Sequence, residues 1–285
     1  SESVAVPLLL EFIRKGFAGI VYDFKFPALD NDISSFLNAT GSDLRHFRLN
    51  FSNPYRTDFV NPIQPEYVPN TSYAREYAVS IVANLTKESI KNPDFWSRSA
   101  TDVLTACIWY LREEHPEICD IPHVLAMVGS NGTALLNTLQ KNIITEQMVR
   151  SVYDALQRGA DNQVSGVLGT LQGAVAQINT PEMMWVFSHP GCPLDVNNPD
   201  HPAILTVATN PTTSQTLSPL CSLVITVATK LMNQCLGKKK KNVVLWRDVR
   251  FVILLPGFVR MVGDPPRSAG HAISFCNNRL AVFMV

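Results

Sequence analysis

The sequence has no net charge and no hydrophobic run long enough to cross a membrane. Lys and Arg together number 24, and so do Asp and Glu. No overall field therefore draws the chain to nucleic acid or to an anionic membrane, and polyanion binding would have to come from local patches. No apolar run reaches roughly 18 residues, and no charged-then-apolar leader opens the chain. We therefore expect a soluble chain.

Several catalytic and metal-binding motifs are also missing. No G-x-S-x-G, H-E-x-x-H or complete G-x-x-x-x-G-K-[ST] occurs, so hydrolase triads and metalloprotease chemistry have no support. The six cysteines form no C-x-x-C pair and have no close histidine spacing. We interpret them as small buried hydrophobes in a reducing compartment and do not expect structural zinc. They are Cys107, Cys119, Cys192, Cys221, Cys235 and Cys276.

The 285 residues, 46% of them apolar, suit one large domain or two unequal ones. At the start, "SVAVPLLLEFIRKG" carries a helical apolar stripe closed by Gly16, and "AGIVYDF" reads as a short strand ending in Asp23. "LRHFRLNF" alternates like a strand, and the Pro-rich "NPYRTDFVNPIQPEYVPN" after it predicts a loop. This order is typical of an α/β unit.

Helices dominate from residue 72 to residue 180. Four segments carry the 3.6-residue spacing of apolar side chains, and they are "SYAREYAVSIVANLTKES", "SRSATDVLTACIWYLREE", "HVLAMVGSNGTALLNTLQ" and "TEQMVRSVYDALQRGADNQVSGVLGTLQGAVAQI". Strands then return, with "PAILTVAT", the helix "SPLCSLVITVATKLMNQCLG", and the strands "NVVLWRD" and "AISFCNN". We predict an α/β fold with a doubly wound, mainly parallel sheet. Residues 1–71 and 181–285 form its core, and residues 72–180 form an inserted all-helical domain.

Polar residues follow three of the predicted strands. Asp23 and Lys25 follow "GIVY", Asp248 follows "NVVLWR", and Asn277 and Asn278 follow "AISFC". Ligands of open parallel sheets bind beyond the carboxyl ends of the strands, so the convergence of these residues points to a nucleotide site. The alternative is that each is the first polar residue of a loop.

Basic residues near the end of the chain also allow two interpretations. The run Lys238 to Lys241 is either a phosphate or DNA contact or a solvated turn after a helix. Arg247 is positioned either to pair with Asp248 or to leave it free for a metal ion. Arg267, in "DPPRSAG", is a candidate for reaching a phosphate on a neighbouring subunit.

The residues from "SESVAVPLLLEFIRKGFAGIVYDFKFP" onward resemble conjugative coupling proteins of the TraG/TraD class, the ATPases that feed DNA into type IV secretion channels. In that family a phosphate-binding loop ending in Lys-Ser leads into a helix and a strand ending in Asp-x-Lys, here Asp23-Phe24-Lys25. In that alignment Ser1 takes the position of the serine in the phosphate-binding loop. "FWSRSATDVLTACIWYL" is similar to the start of the family's all-α domain, and "LSPLCSLVITVATKLMNQ" to the helix before its second acidic strand.

After Lys241 the resemblance continues only at spaced positions. Asp248 precedes Pro256 by eight residues, where the family has its metal-binding aspartate, and Asn278 stands at the position of its sensing glutamine. The position of the catalytic glutamate holds Val249, which cannot accept a proton from water. Three explanations stay open: an inactive relative, a protein that binds nucleotide without hydrolysing it, or errors in the sequence of residues 238–285.

The resemblance implies a RecA-like P-loop core that binds ATP and Mg²⁺ between subunits of a homo-hexamer. It implies that Ser1, Asp23 and Lys25 bind nucleotide, that Ser1 and Asp248 hold the metal, that Arg267 is an arginine finger and that Asn278 is a sensor. It further implies a motor at the cytoplasmic face of the bacterial inner membrane, attached through segments outside this chain. Its partners would be DNA, gripped through its phosphates, a relaxase–DNA complex and the secretion channel. The alternatives are an inactive binding scaffold of the same apparatus and an unrelated α/β protein.

Overall fold

The structure is a computed structural model that describes residues 2–23, 25–85, 95–189, 191–209, 214–234, 242–247, 273–275 and 280–284. Its helices are α1 Glu2–Arg14, α2 Ala28–Thr40, α3 Thr71–Leu85, α4 Phe95–Glu114, α5 Ile121–Val128, α6 Gly132–Leu139, α7 Ile143–Gln157, α8 Asp161–Ala176, α9 Pro181–Phe187 and α10 Ser214–Gln234. Its strands are β1 Ala18–Asp23, β2 Arg45–Asn50, β3 Ala203–Ala208, β4 Asn242–Arg247, β5 Ile273–Phe275 and β6 Leu280–Met284.

The strands form one six-stranded sheet in the order β2-β3-β1-β4-β6-β5. The first four in this order run parallel, as predicted. β6 is antiparallel to β4 and β5 is antiparallel to β6. β6 was not predicted; "AISFC" forms β5, which pairs with β6 and, after two antiparallel pairings, runs in the same direction as β4. β5 and β6 are separated by only four residues, and a connection that short joins antiparallel neighbours, whereas a parallel crossover needs a dozen residues or more.

The first helix and strand form as the sequence predicts. Gly16 adopts φ +77°, a left-handed conformation that glycine tolerates, and it lets the chain reverse between α1 and β1. Every residue of β1 and of β3 is buried. A strand covered on both faces needs such a continuous apolar run, which is typical of a parallel sheet with helices on each side.

Helix α2 was not predicted from the sequence. Its buried apolar residues Leu29, Ile33 and Leu37 recur every four residues, but Asp, Asn and Ser fill most positions between them. These residue types have weak helix propensity, so the pattern alone predicts little. The helix ends at Gly41, whose φ of +61° is the left-handed conformation of a common helix stop.

The helical segment is divided more finely than its sequence periodicity indicates. The predicted helix over residues 123–140 is two helices, α5 and α6, and the predicted helix over residues 145–178 is α7 and α8. The chain breaks between α5 and α6 at Asn131, whose side chain accepts hydrogen bonds from Thr133 N and Ala134 N and so caps the start of α6. The break between α7 and α8 falls at Gly159, which has φ +72°.

Two hydrophobic clusters cover the two faces of the sheet. One contains α1, α2 and inward-facing sheet residues such as Val21 and Ile204. The other joins alternate sheet residues such as Tyr22 and Leu205 to α10 and to the helical segment. Because this second cluster is continuous, the helical segment shares one hydrophobic core with α10 and the sheet. The division of the chain into a core and an insertion at residues 72 and 180 stays a prediction.

Four of the six cysteines lie in the described residues. Cys107, Cys119, Cys192 and Cys221 are buried and free. Burial raises the pKa of the Cys107, Cys119 and Cys192 thiols to about 12 and raises the pKa of Cys221 as well. These four are therefore inert buried thiols, as predicted. Cys235 and Cys276 lie outside the described residues.

Candidate functional site

The carboxyl ends of four parallel strands form one continuous edge of the sheet. Asp23, the last residue of β1, is in register with Ala208 of β3 on one side and with Arg247 of β4 on the other. Asn50, the last residue of β2, is also in register with Ala208. The strand that leads into Asp248 in the sequence, β4, therefore ends beside Asp23.

Three helices begin at the same edge. α2 follows β1, and α10 connects two parallel strands, β3 and β4, so both helices start where those strands end. α1 packs back along β1 after a tight turn, and each element spans about 20 Å, so α1 begins near the end of β1. Helix N-termini carry partial positive charge and free N–H groups, so this edge attracts anions.

Asp23 is fully buried and neutralises the N-terminus of α2. Its Oδ2 accepts hydrogen bonds from Leu29 N (2.9 Å) and Asp30 N (3.4 Å), and its Oδ1 accepts one from Lys25 N (3.2 Å). The Asp23 backbone carbonyl accepts from Thr209 N (3.0 Å), which fixes the residue after β3. Asp23 thus holds together the edge from which the loops after β1 and β3 leave.

The two residues beside Asp23 differ in their surroundings. The Lys25 side chain is exposed at the edge. Tyr22, one residue before Asp23, is buried, and its hydroxyl accepts a hydrogen bond from Thr209 Oγ1 (3.2 Å). Burial raises the pKa of Tyr22, so the phenol stays protonated and acts as a packing group.

A partly buried polar network that was not predicted from the sequence ties α2 to β2. Arg48 donates to both Asp30 carboxylate oxygens through Nε (2.8 and 2.9 Å) and to Ser34 Oγ through Nη2 (2.6 Å). His46 lies beside them, with Nε2 2.8 Å from Thr206 Oγ1 and 3.2 Å from Asp30 Oδ1. The alternation of "RHFR" with apolar residues was the available signal, since it places His46 and Arg48 on one face of β2.

His46 is neutral in this network. A guanidinium has hydrogen-bond donors and no acceptor. Arg48 Nη2 lies 3.3 Å from His46 Nδ1, so His46 Nδ1 must accept this hydrogen bond through its lone pair. The proton then sits on Nε2, which faces Thr206 and Asp30. Burial and, to a smaller extent, the neighbouring Arg48 charge together lower the pKa of His46 to about 4. Burial also raises the pKa of Asp30, against the opposing effect of Arg48.

Most of the predicted site residues lie outside the described residues. These are Ser1, Asp248, Arg267, Asn277 and Asn278, together with the lysines 238–241 and Val249. Of the predicted nucleotide-binding residues, Asp23 and Lys25 are described, and they lie at the carboxyl edge. Within the described part of the chain, no group of three or more His, Cys, Asp or Glu side chains is arranged to hold a metal ion.

The sequence matches the family described as Type IV secretory system Conjugative DNA transfer over residues 31–256, well over half of the chain. The chain belongs to this family. The predicted resemblance to conjugative coupling proteins is thereby confirmed at the level of the family. Comparison with curated protein sequences gave no match.

Solved structures of a bacterial conjugative coupling protein share the fold. The unbound monoclinic form of TrwBΔN70 has a TM-score of 0.60 and 15% identity, covering 85% of this chain and 51% of that one. TrwB in complex with ADP and Mg²⁺ has a TM-score of 0.53 and 13% identity, covering 79% of this chain and 54% of that one. TrwB with the GTP analogue GDPNP gives the same TM-score and identity, with 79% and 55% coverage.

These matches confirm the predicted α/β fold of the RecA-like type. This chain of the conjugative DNA-transfer family spans about half the length of the TrwB structures it matches. Among the helices that the structure describes, none combines the length and the apolar composition that a membrane crossing requires.

Proposed function

We propose that the chain is the nucleotide-binding part of an ATP-dependent motor that couples DNA and its bound proteins to a conjugative type IV secretion channel. One observation carries the proposal, the register that sets Asp23 of β1 beside Arg247 of β4. It brings the Asp-x-Lys strand and the strand leading into Asp248 together at the edge where α1 and α10 begin. Ligands of parallel sheets bind at such an edge.

The chemistry of this edge fits a nucleoside triphosphate with Mg²⁺. The N–H groups of α2 are bonded to Asp23, and α1 and α10 present two further helix N-termini to phosphate oxygens. Ser1 and Asp248 would supply the oxygen ligands that Mg²⁺ prefers. The bound ion would neutralise charge on the phosphates. Solved TrwB complexes with ADP and Mg²⁺ and with nucleotide analogues support this choice of ligand.

Each remaining site residue has a distinct proposed role. Lys25, exposed at the edge, would contact a phosphate, and Asp23 would keep the ends of β1 and β3 in place. Arg267 would act as an arginine finger toward the nucleotide of a neighbouring subunit, and Asn278 would sense the terminal phosphate. This arrangement requires a ring of subunits, for which we propose a homo-hexamer.

Family membership supports the proposed partners and location. The motor would grip DNA through its backbone phosphates, independently of sequence, and receive it with a relaxase. With membrane attachment through other segments of the full protein, it would work at the cytoplasmic face of the bacterial inner membrane. The neutral net charge requires the basic residues to concentrate where DNA passes.

Val249 favours a second function within the same apparatus. A valine at the position of the catalytic glutamate cannot accept a proton from water, so the chain would bind nucleotide as a catalytically inactive scaffold. Titration calorimetry of ATP on the full-length protein tests the nucleotide site common to both functions, and ATP hydrolysis separates them. Saturable binding that Asp248→Ala abolishes supports the site, and absence of binding by the unmutated protein refutes the motor.

A further inference from the structure

Two buried hydroxyl groups meet where β1 and β3 end. Thr209 Oγ1 donates a hydrogen bond to the Tyr22 hydroxyl (3.2 Å), and Tyr22 and Thr209 are only 2% and 1% exposed. Tyr22 is in register with Val207, so Thr209, two residues further along, is its diagonal neighbour on the same face of the sheet. A tyrosine side chain is long enough to bridge such a diagonal pair. We call Tyr22 and Thr209 the hydroxyl pair.

The hydroxyl pair lies at the point where the chain leaves the sheet for α10. Thr209 directly follows β3, and its N–H donates to the Asp23 carbonyl oxygen (3.0 Å), so the backbone pairing continues to the last residue of β1. α10 begins at Ser214, only a short loop later. Thr209 is therefore held through both its backbone and its side chain to the strand that ends in Asp23.

Tyr22 also lies against α10. It belongs to the same hydrophobic cluster as Cys221 of α10, and α10 packs on β1. Burial and, to a smaller extent, the nearby Cys221 thiol raise the pKa of Tyr22. The tyrosine ring therefore lies between the sheet and α10, while its hydroxyl holds Thr209, the residue from which the chain leads to the start of that helix.

The hydrogen bond between the two hydroxyls is not needed to pack this part of the core. A buried hydroxyl loses its hydrogen bonds to water, and the bond within the pair mainly offsets that cost. Phenylalanine and valine have nearly the shapes of tyrosine and threonine, and replacing both partners by apolar groups of the same shape is close to neutral for stability. The hydroxyl pair therefore contributes a fixed geometry more than net stability.

The position of α10 matters at the candidate nucleotide site, because a helix N-terminus binds phosphate only when its N–H groups point at the oxygens. α10 begins at the carboxyl edge of the sheet, where β1 ends in Asp23. We propose that the hydroxyl pair is a positioning pair, which sets the loop after β3 and the start of α10 in the arrangement that binds the phosphates of the nucleotide. Neither residue contacts the nucleotide in this role. This inference rests on the proposed nucleotide-binding function.

Titration calorimetry of ATP on the full-length protein, combined with denaturant unfolding of the same variants, tests the inference. Tyr22→Phe and Thr209→Val each remove one partner of a buried hydrogen bond and should unfold at lower denaturant, whereas the double variant should regain most of the lost stability. ATP affinity should fall about fivefold or more in each single variant and should not recover in the double variant. Thr209→Ser keeps the hydroxyl and should bind ATP about as tightly as the unmutated protein.

Tyr77→Phe is the matched control. Tyr77 of α3 is fully buried, and its hydroxyl donates to the Tyr67 carbonyl oxygen (2.9 Å). Its loss should lower stability and leave ATP affinity unchanged. Hydrogen exchange of the nucleotide-free protein adds a measurement that does not depend on ATP. The amides in the first turn of α10, from Ser214, should exchange faster in the double variant than in the unmutated protein or in Tyr77→Phe.

Three results would overturn the inference. They are unchanged ATP affinity in the double variant, unchanged exchange in the first turn of α10, and an equal loss of ATP affinity in Tyr77→Phe. With saturable ATP binding by the unmutated protein, each of these refutes only the positioning role and leaves the proposed nucleotide site in place. Absence of ATP binding by the unmutated protein refutes the proposed site itself, and the positioning role with it.

Discussion

At the scale of single residues, buried polar groups determine how the site edge is held. Asp23 is fully buried, and its carboxylate accepts three backbone N–H groups, two of them from the start of α2. A buried carboxylate that accepts these hydrogen bonds stabilises the helix N-terminus. Removing it would leave buried backbone N–H groups without an acceptor, which costs stability. Its first contribution is therefore to keep the edge assembled, whatever contact it makes with a ligand.

We predict that Asp23→Ala lowers the free energy of unfolding by about 2 to 4 kcal/mol, because buried N–H groups lose their acceptor. Chemical denaturation monitored by circular dichroism measures this change. The matched control is Asp43→Ala, which removes an exposed aspartate and should stay within about 0.5 kcal/mol of the unmutated protein. Equal stability of Asp23→Ala and the unmutated protein would contradict the role given to Asp23.

His46 gives the protein a pH dependence of stability. Burial lowers its pKa from 6.5 to about 4, so the unfolded chain takes up a proton below pH 6.5 that the native chain takes up only near pH 4. The stabilisation is fully present above pH 6.5 and is lost as the pH falls toward 4, by up to about 3 kcal/mol. Asp30, whose pKa is raised, contributes with the opposite sign, since its stabilisation is lost as the pH rises.

The His46→Gln variant isolates this contribution because glutamine hydrogen-bonds but does not titrate. Denaturant unfolding at several pH values should show a smaller loss of stability between pH 6.5 and pH 4 in the variant than in the unmutated protein. Parallel stability profiles for the two proteins would show that His46 is not the titrating group.

At the scale of secondary structure, α3 and α10 join the helical segment to the sheet. The Ser80 and Ser222 hydroxyls lie 3.2 Å apart, and both residues are fully buried. Small side chains there let the two helices approach closely. At their exposed rim, Lys230 pairs with Glu76 and lies over the Tyr73 ring, 4.3 Å from its centroid. Because α10 begins at the site edge, this contact links that edge to the helical segment.

We predict that Ser222→Leu lowers the free energy of unfolding by about 1 to 3 kcal/mol, since a larger side chain cannot fit between the two helices. Thermal or denaturant unfolding measures the change. Ser151→Leu places the same side chain on the exposed face of α7 and should have little effect. Similar stabilities for the two variants would refute the close packing of α3 on α10.

The same scale shows what the sequence could and could not predict. Continuous apolar runs predicted β1, β3 and β4, and in β1 and β3 every residue is buried, as expected of strands that are covered on both faces. α2 was not predicted for two reasons. Its N-terminus is capped by the carboxylate of Asp23, six residues before Leu29, and polar residues separate the apolar side chains of its buried face. β6 and the network of Asp30, His46 and Arg48 depend on tertiary pairing, which a local pattern does not contain.

At the scale of the whole molecule, the parallel part of the sheet presents one edge, at which β1 ends in Asp23 and β2 in Asn50 and at which three helices begin. Family membership gives this edge a context of conjugative DNA transfer. The predicted residues Asp23 and Lys25 lie at that edge, while the roles of Ser1, Asp248, Arg267 and Asn278 stay predictions. Motif spacing was enough to predict the family, because the Asp-x-Lys strand end and the Asp248 to Pro256 spacing are both local in sequence.

Val249 bears on which of the two proposed functions the chain has. For the inactive scaffold, we expect the full-length protein to bind ATP and to hydrolyse it slowly, and Val249→Glu to raise the hydrolysis rate by about 100-fold or more, the usual contribution of a general base. Phosphate release in the presence of Mg²⁺ measures this. Val249→Leu, which adds no base, is the matched control. Fast hydrolysis by the unmutated protein would show that another residue activates water.

The most direct test of the account is titration calorimetry of Mg²⁺ and ATP on the full-length protein, compared with its Asp248→Ala variant and with Asp43→Ala as a control. We predict saturable binding by the unmutated protein and by Asp43→Ala, and loss of that binding in Asp248→Ala. Absence of ATP binding by the correctly folded, unmutated protein would contradict the nucleotide site at the carboxyl edge of β1 and β4.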